Sequence, residues 1–502
     1  MARCALIIID GFGVAPPGPG NARTQANLPN VSRMEKEIPN VLMEAAGNAA
    51  GLPEGQQGAS EQGHYTIGAG RVVWQTLEQI NRDIRDGSFF DNEALVSACK
   101  DAVARDVPLH FFIIFSYGGV HGHANHLYAA MKLAKDEGVK EVCLHLTGDG
   151  RDVPEQSLLK DIEDINNVIE ELDTGKLCSV VGRYYSMDRD LQWDRTKVAY
   201  DLYTQGVGEE VVDFPKAFQE YYSRAEENQD TDYYMPPLKS KEFVSIAEDH
   251  VVVNLNYRTD RQPQITEALT EKNFEHFDNS VRVTKYVCMG PYSDSLPIAY
   301  PELVVKNNLG SWLSQHNKKQ LRVCESEKYA HVTFFFNSQE EDPYPGEERI
   351  KIPSPKCPSY DQKPEMSASK VTDAAVKGAQ EEKYDMIVVN YANPDLVGHS
   401  GDLEAAIIAC ETVDAQLEKL LPELEKHGYE WIITSDHGNS EQMLYDDGEP
   451  CPSHTDNLVQ TFVNSEKFPT SESLKIKKGI KDIAPMCLEI MDLEVPEEMK
   501  SN

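Results

Sequence analysis

The sequence is short of positive charge, has no long apolar run and clusters none of its cysteines. Each lack removes a class of function. Forty-eight lysines and arginines stand against 83 aspartates and glutamates, a formal net charge of −35. A nucleic-acid backbone needs a broad basic surface, so no nucleic-acid partner is expected, and no anionic membrane surface either. No apolar stretch approaches the ~20 residues of a membrane span. The run Ala5 to Ile9 is stopped by Asp10, too short for a signal peptide. Ten cysteines lie scattered from Cys4 to Cys487 with no C-x-x-C pair, which speaks against a disulfide framework and against thiolate zinc. A cytoplasmic protein with reduced thiols is expected. Its acidity reads as a solvated, self-repelling surface, so an anionic substrate must find a local island of arginine and lysine.

At 502 residues the chain should form two or more domains. Short β-branched runs alternate with helical patterns, which predicts an α/β fold with a mostly parallel sheet. Leu158, Ile162, Ile165, Ile169 and Leu172 mark the buried face of one helix. A second face runs Leu403, Ile407, Cys410, Val413, Leu417, Leu420, Leu424, with Gly428 as its stop and a kink or end expected at Pro422. Ser338 to Pro358, rich in Glu, Asp, Pro and Lys, reads as a surface loop.

The residues at the ends of the strand-like runs carry the chemistry. Ala5 to Ile9 ends in Asp10-Gly11; Met386 to Val389 leads to Asp395 and His399; Trp431 to Thr434 ends in Ser435-Asp436-His437-Gly438. In open α/β sheets ligands bind outside the carboxyl ends of the strands. Alone, Asp395-x-x-x-His399, Asp436-His437 or His454 could each be a helix cap, a turn or a loop residue. Together, three aspartates and three histidines offer the mixed oxygen and nitrogen donors that suit two divalent cations, Mn²⁺, Co²⁺ or Zn²⁺ more than Mg²⁺ alone. Ser60, in Gly58-Ala59-Ser60-Glu61-Gln62-Gly63-His64, suits a turn that exposes its hydroxyl, or a helix N-cap. A helix N-terminus would favour a phosphate there, and metal coordination would activate the hydroxyl. No G-x-S-x-G motif offers a hydrolase triad instead.

These residues resemble the cofactor-independent phosphoglycerate mutases of the alkaline phosphatase superfamily. The resemblance lies in Leu6 to Gly13, in Ala59 to His64 followed by Ile67-Gly68-Ala69-Gly70-Arg71, in Asn393 to Asp402 and in Ser435 to Asn439. It implies one metal held by Asp395, His399 and His454, and another held by Asp10, Ser60, Asp436 and His437. Mn²⁺ is the expected ion, with Mg²⁺, Co²⁺ or Zn²⁺ as alternatives. It also implies an alkaline-phosphatase-like discontinuous domain, residues 1–74 and 304–502, with a second α/β domain, residues 75–303, inserted and carrying the substrate site, and a monomeric enzyme.

The basic island lies in that middle segment. Runs at Phe111 to Phe115, Val142 to Leu146, Cys178 to Val181 and Val251 to Leu255 are followed by His121, by Arg151 and Asp152, by Arg183 and Arg189, and by Arg258 and Arg261. Arginine forks suit phosphate and carboxylate, although arginines in an acidic protein also serve as surface ion pairs. The resemblance makes these residues the holders of phosphoglycerate, with Asp152 as acid/base and Lys328 beside the transferring phosphoryl group. Departures from the family pattern occur at Ala59, Tyr117, Gly122, Thr259, Asp456 and Leu458; Ala59, where the family has asparagine, is expected to slow the reaction. The implied reaction interconverts 3-phosphoglycerate and 2-phosphoglycerate through phosphoserine at Ser60. A phosphomonoesterase or phosphopentomutase on the same metal site is the alternative, and a metal-binding scaffold a more distant one.

Overall fold

Runs of β-branched and aliphatic residues with no polar break need cover on both faces, and this chain meets that need twice. In the computed structural model, which describes residues 2–226 and 228–500, fourteen strands are found among the described residues. They are β1 (Arg3–Ile9), β2 (Asn40–Met43), β3 (Leu109–Ile114), β4 (Val142–Gly148), β5 (Lys176–Gly182), β6 (Glu209–Val211), β7 (Leu238–Ser240), β8 (Val251–Asn254), β9 (Lys285–Cys288), β10 (Gln320–Glu325), β11 (Glu347–Ile352), β12 (Met386–Tyr391), β13 (Tyr429–Thr434) and β14 (Val459–Asn464). Two compact units hold them: one comprises the chain up to Gln75 and from Val304 onward, the other Thr76–Leu303.

The first unit is built on a seven-stranded sheet in the order β11-β10-β12-β1-β13-β14-β2. β1 lies at its centre, parallel to β12 and to β13, and β14 is the strand that runs against its neighbours. Alternate residues of β1 serve opposite faces. Ala5, Ile7 and Ile9 join a core with Ala406, Cys410, Val413 and Leu417 of the Leu403–Lys426 helix. Cys4, Leu6 and Ile8 join another with Ile67, Ile483, Met486 and Leu488. With both faces covered, the carboxyl edge of the sheet is left for chemistry.

The second unit repeats the plan around β6-β7-β5-β4-β3-β8-β9. β3, β4, β5, β8 and β9 are parallel, while β6 and β7 run the other way. The chain moves from β3 outward through β4 to β5, then returns to place β8 on the other side of β3. In open α/β sheets such a switch point, here between β3 and β8, is where ligands bind outside the carboxyl ends of the strands. The helix expected from Leu158 to Leu172 spans those residues, with Leu158, Ile162 and Ile165 buried.

One expectation changes and another narrows. The Ser338 to Pro358 segment contains an edge strand, β11, paired in parallel with β10 from Gln320↔Glu347 to Glu325↔Ile352. Its charged residues disguise it, and charge is what an exposed sheet edge uses to resist further pairing. Of the kink or end expected at Pro422, the end does not occur, since the helix runs on to Lys426; the burial of Leu417, Leu420, Leu421 and Leu424 outweighs the missing N–H. Both sheets are mostly parallel, as expected, with the antiparallel pairings toward one side of each.

One glycine ties a helix to the sheet edge. Gly63, in the Ser60–Ala69 helix, lies so close to the segment after β13 that a Cβ would stand 2.6 Å from the Asp436 carbonyl oxygen. Gly63→Ala is expected to destabilise the first unit by about 1–3 kcal/mol, the range for overpacking, and to shift Ser60. Urea unfolding followed with an activity assay checks this; an unchanged midpoint and turnover would contradict it.

Candidate active site

Four parallel strands of the first unit deliver its reactive groups. β1 ends at Asp10, β10 leads to Lys328, β12 leads to Asp395 and His399, and β13 leads to Asp436 and His437. The Ser60–Ala69 helix adds Ser60 as its first residue, and His454 comes from the segment before β14. Ser60 is not the N-cap; Ala59 takes that position without a capping side chain. Nor is its hydroxyl exposed, for Ser60 is 7% accessible. Ser60 Oγ lies 2.7 Å from His437 Nε2, 2.8 Å from Lys328 Nζ and 3.3 Å from Asp10 Oδ1. The hydroxyl therefore sits at a helix N-terminus, where free N–H groups favour an anion, within a nest of ionisable side chains.

Lys328 is buried and central. Its ammonium donates to Asp10 Oδ1 at 2.8 Å and to Asp395 Oδ2 at 2.6 Å. Burial opposes its charge, but Asp10 and Asp395 outweigh that and push its pKa up. Burial, with Asp436 beside it, raises Asp10. Asp395 is held well below the usual carboxylate range: burial would raise it, yet Lys328 and hydrogen bonds from His399 and His454 prevail. Asp436 is depressed likewise, His437 and His64 overcoming the effect of burial.

The ring tautomers argue for cations. His399 Nδ1 donates to Pro452 O and His454 Nδ1 to Gly58 O, each at 2.8 Å. In the neutral rings both Nε2 atoms then carry lone pairs. Those two atoms face each other at 3.0 Å, and stand 3.3 Å and 3.0 Å from Asp395 Oδ1. When both rings are neutral, three acceptors converge there with no proton among them, the donor set a divalent ion satisfies, and ring N–H groups bonded to carbonyls are the usual outer support of such ligands. His437 Nδ1 similarly meets Gly438 O at 3.1 Å. Its Nε2 faces Asp436 Oδ2 at 3.4 Å, Asp10 Oδ1 at 3.5 Å and Asp395 Oδ1 at 3.9 Å. Asp436 Oδ2 has no hydrogen-bond donor. The residues present fit two divalent ions.

Asp395, His399 and His454, which the resemblance groups around one ion, lie with their facing atoms within 3.3 Å of one another. Two further groups converge within 4.8 Å: Asp395, His437 and His454, and Asp10, His64 and Asp436. His437 thus looks toward both. His64 was missed: its Nδ1 lies 3.1 Å from Asp436 Oδ2 and its Nε2 3.9 Å from Asp10 Oδ2. The available signal was spacing, since His64 is four residues after Ser60 and so on the same helix face. Asn390, also missed, donates to Asp10 Oδ2 at 2.8 Å.

These protonation states make metal binding depend on pH. The hydrogen bond to Asp395 raises the pKa of His399, and although burial acts the other way, Asp395 also raises that of His454. A metal held by these rings would have to displace those protons. Mn²⁺ affinity is therefore expected to fall as pH falls, by roughly ten- to hundredfold per unit once both rings are protonated. Mn²⁺ titration followed by electron paramagnetic resonance between about pH 8 and 6 checks it; a flat profile would contradict it.

In the second unit the arginines follow the carboxyl ends of β4, β5 and β8. Arg183, 1% exposed, reaches Asp149 Oδ1 at 2.5 Å, Asp152 Oδ2 at 2.6 Å and His121 Nε2 at 2.9 Å. Arg189 and Arg258 converge on Asp260 at 2.7 Å and 2.9 Å, and His121 Nδ1 stands 3.7 Å from the same carboxylate. Arg261 is buried and donates to Met187 O at 2.9 Å; burial and the neighbouring Arg183 and Arg189 lower its pKa. Arg151 is exposed. Burial and Arg183 push His121 down to about 4, so it is neutral at neutral pH. Asp152 is partly buried, but Arg183 outweighs that and keeps it ionised. Asp260 was missed as a site residue because it reads as one more surface acid. Of the departures, Tyr117 bonds Tyr128 and Asp164 at 2.9 and 2.8 Å, away from these arginines' partners.

A family model described as the Metalloenzyme superfamily matches residues 2–495. A 2,3-bisphosphoglycerate-independent phosphoglycerate mutase of Moorella thermoacetica is 42% identical, over 98% of this chain and 96% of its own. One from Methanosarcina acetivorans is 44% identical over the same shares. The chain belongs to this family. Among solved structures, Leishmania mexicana phosphoglycerate mutase, crystallised at low cobalt concentration, superposes with a TM-score of 0.57 at 25% identity, covering 99% of this chain and 96% of that one. Membership of the mutase family and of a metalloenzyme superfamily agrees with the donor set at the sheet edge. No helix among the described residues is long and apolar enough to cross a membrane.

Proposed function

We propose that this mutase-family member interconverts 3-phosphoglycerate and 2-phosphoglycerate through a phosphoserine at Ser60, with two divalent ions and without bisphosphoglycerate. The observation that carries the reading is the setting of Ser60 Oγ, within 2.8 Å of both His437 Nε2 and Lys328 Nζ, in a chain 42% identical to a named mutase over nearly its whole length. Asp395, His399 and His454 would hold one ion; Asp10, Ser60, Asp436 and His437 would hold the other, with Mn²⁺ the favoured metal. Bound there, the ions would lower the pKa of the serine hydroxyl and share phosphate charge.

The chain's own groups do the rest. Ser60 Oγ attacks phosphorus, and the bond from phosphorus to the substrate oxygen breaks. The proton lost by the serine hydroxyl ends on that departing oxygen, and Lys328 neutralises charge on the transferring group, as phosphoryl transfer demands. The first unit is thus the metal and nucleophile domain. The second is the substrate domain: Arg183, Arg189, Arg258, Arg261, Arg151 and His121 hold the glycerate carboxylate and hydroxyls. In the return step the ionised Asp152 accepts the proton of the attacking glycerate hydroxyl, which is then passed to Ser60 Oγ as its bond to phosphorus breaks, and Arg183 orients Asp152 for that exchange. Glycerate reorients while Ser60 stores the phosphoryl group, and its other hydroxyl takes the group back. In this reading the enzyme is a cytoplasmic monomer.

Acid quenching of turnover with 3-phosphoglycerate, followed by peptide mass spectrometry, tests the intermediate. A phosphoryl group on the Ser60 peptide is expected; a peptide that stays unmodified while product forms would overturn the covalent route.

A further inference from the structure

Glu441 is buried, 2% exposed, and no step of the proposed reaction uses it. Its carboxylate gathers donors from three of the segments that carry the candidate ligands. Oε2 accepts the main-chain N–H of Gly13 at 3.0 Å and of Asn439 at 2.9 Å. Oε1 accepts the Thr455 hydroxyl, and Asn457 Nδ2 at 3.0 Å. Gly13 follows Asp10 on the segment after β1, Asn439 follows His437 on the segment after β13, and Thr455 adjoins His454. Asn439 carries the link to a fourth segment, its Nδ2 donating to Asp395 Oδ1 at 3.3 Å. Four donors and no competing acceptor suit an ionised carboxylate, which only accepts. Gly438 has no room for a side chain, since a Cβ would run into Glu441 Oε1 and Thr455 Oγ1.

We propose that Glu441 is a positioning residue for the metal centre, fixing the relative placement of Asp10, Asp436, His437 and His454, and through Asn439 of Asp395. The inference rests on the two-metal reading of the site. Outer-shell partners of metal ligands typically govern affinity by about 10- to 100-fold. Glu441→Gln keeps the shape but loses the charge and turns an acceptor into a donor toward Thr455 and Asn457; Mn²⁺ binding is expected to weaken about tenfold. Glu441→Ala releases all three segments, and binding should weaken about 100-fold. In both, turnover recovers at high Mn²⁺ while KM for phosphoglycerate stays near the wild-type value. Glu347→Gln is the control: it removes another buried carboxylate of the same unit, bonded to Asn337 Nδ2 at 2.8 Å and Arg349 Nε at 2.6 Å. It should lower the melting temperature and leave Mn²⁺ affinity unchanged.

Mn²⁺ titration by electron paramagnetic resonance, with melting curves of the metal-free proteins, decides. Weakened binding in Glu441→Gln, with Glu347→Gln binding as wild type, supports the assignment. Wild-type affinity in Glu441→Gln, whether or not Glu441→Ala folds, overturns the role of Glu441 alone. A wild-type protein that binds no Mn²⁺ overturns the metal reading itself.

Discussion

Ser60→Ala is expected to lower turnover by roughly 10⁴-fold or more, the scale on which loss of a nucleophile is felt. The fold should barely notice. Ser60 is the first residue of its helix but not its cap, because Ala59 holds that position, so deleting the hydroxyl removes no capping bond. Lys328 keeps Asp10 and Asp395 as partners at 2.8 and 2.6 Å, so no buried charge is left alone. A substitution that left stability intact but halved the rate would point to a general electrostatic role for Ser60. The expected pattern is near-complete loss of rate, with a melting temperature within a few degrees of wild type.

Arg183→Ala should be damaging in two ways at once. Arg183 is fully enclosed and serves Asp149, Asp152 and His121. Removing one partner of a buried charged set typically costs about 3–5 kcal/mol, because the other charges are left without compensation. The second unit should melt about 10 °C lower on that account. KM for phosphoglycerate should rise roughly 10- to 100-fold, since hydrogen bonds to charged groups contribute about 1.5–3 kcal/mol. Arg183→Lys should recover little, for one ammonium cannot reproduce a planar fork that reaches three partners. Calorimetry and steady-state kinetics read both effects; a variant as stable as wild type with an unchanged KM would contradict the role given to Arg183.

Much of the first site is legible in the sequence because a parallel strand announces both itself and its end. Buried residues such as Ala5 to Ile9 form an unbroken apolar run, and the first polar residue after the run, Asp10, must lie at the carboxyl edge. The polar segments after the next two runs hold Asp395 and Asp436, although Asn390 and Ser435 come before them. Runs of this kind do not reveal Glu441, whose importance comes from which loops meet around it, a property of tertiary packing rather than of spacing. His64 lay between these cases: the four-residue step from Ser60 was visible, but not that Asp10 and Asp436 would face it. β11 was hidden because an edge strand needs charge where an inner strand needs bulk. Arg183 and Arg189 share one short segment, yet one is buried among carboxylates and the other exposed beside Asp260. Nothing local in the sequence separates them.

At the centre of this account, a phosphoryl group moves between two hydroxyls of glycerate by way of the protein. Phosphorus NMR of the purified protein with 3-phosphoglycerate and Mn²⁺, in the absence of bisphosphoglycerate, tests it most directly. The expected result is a 2-phosphoglycerate resonance that grows to equilibrium, with no free phosphate accumulating. Free phosphate as the main product, or an unchanged 3-phosphoglycerate signal from metal-loaded protein, would contradict the account.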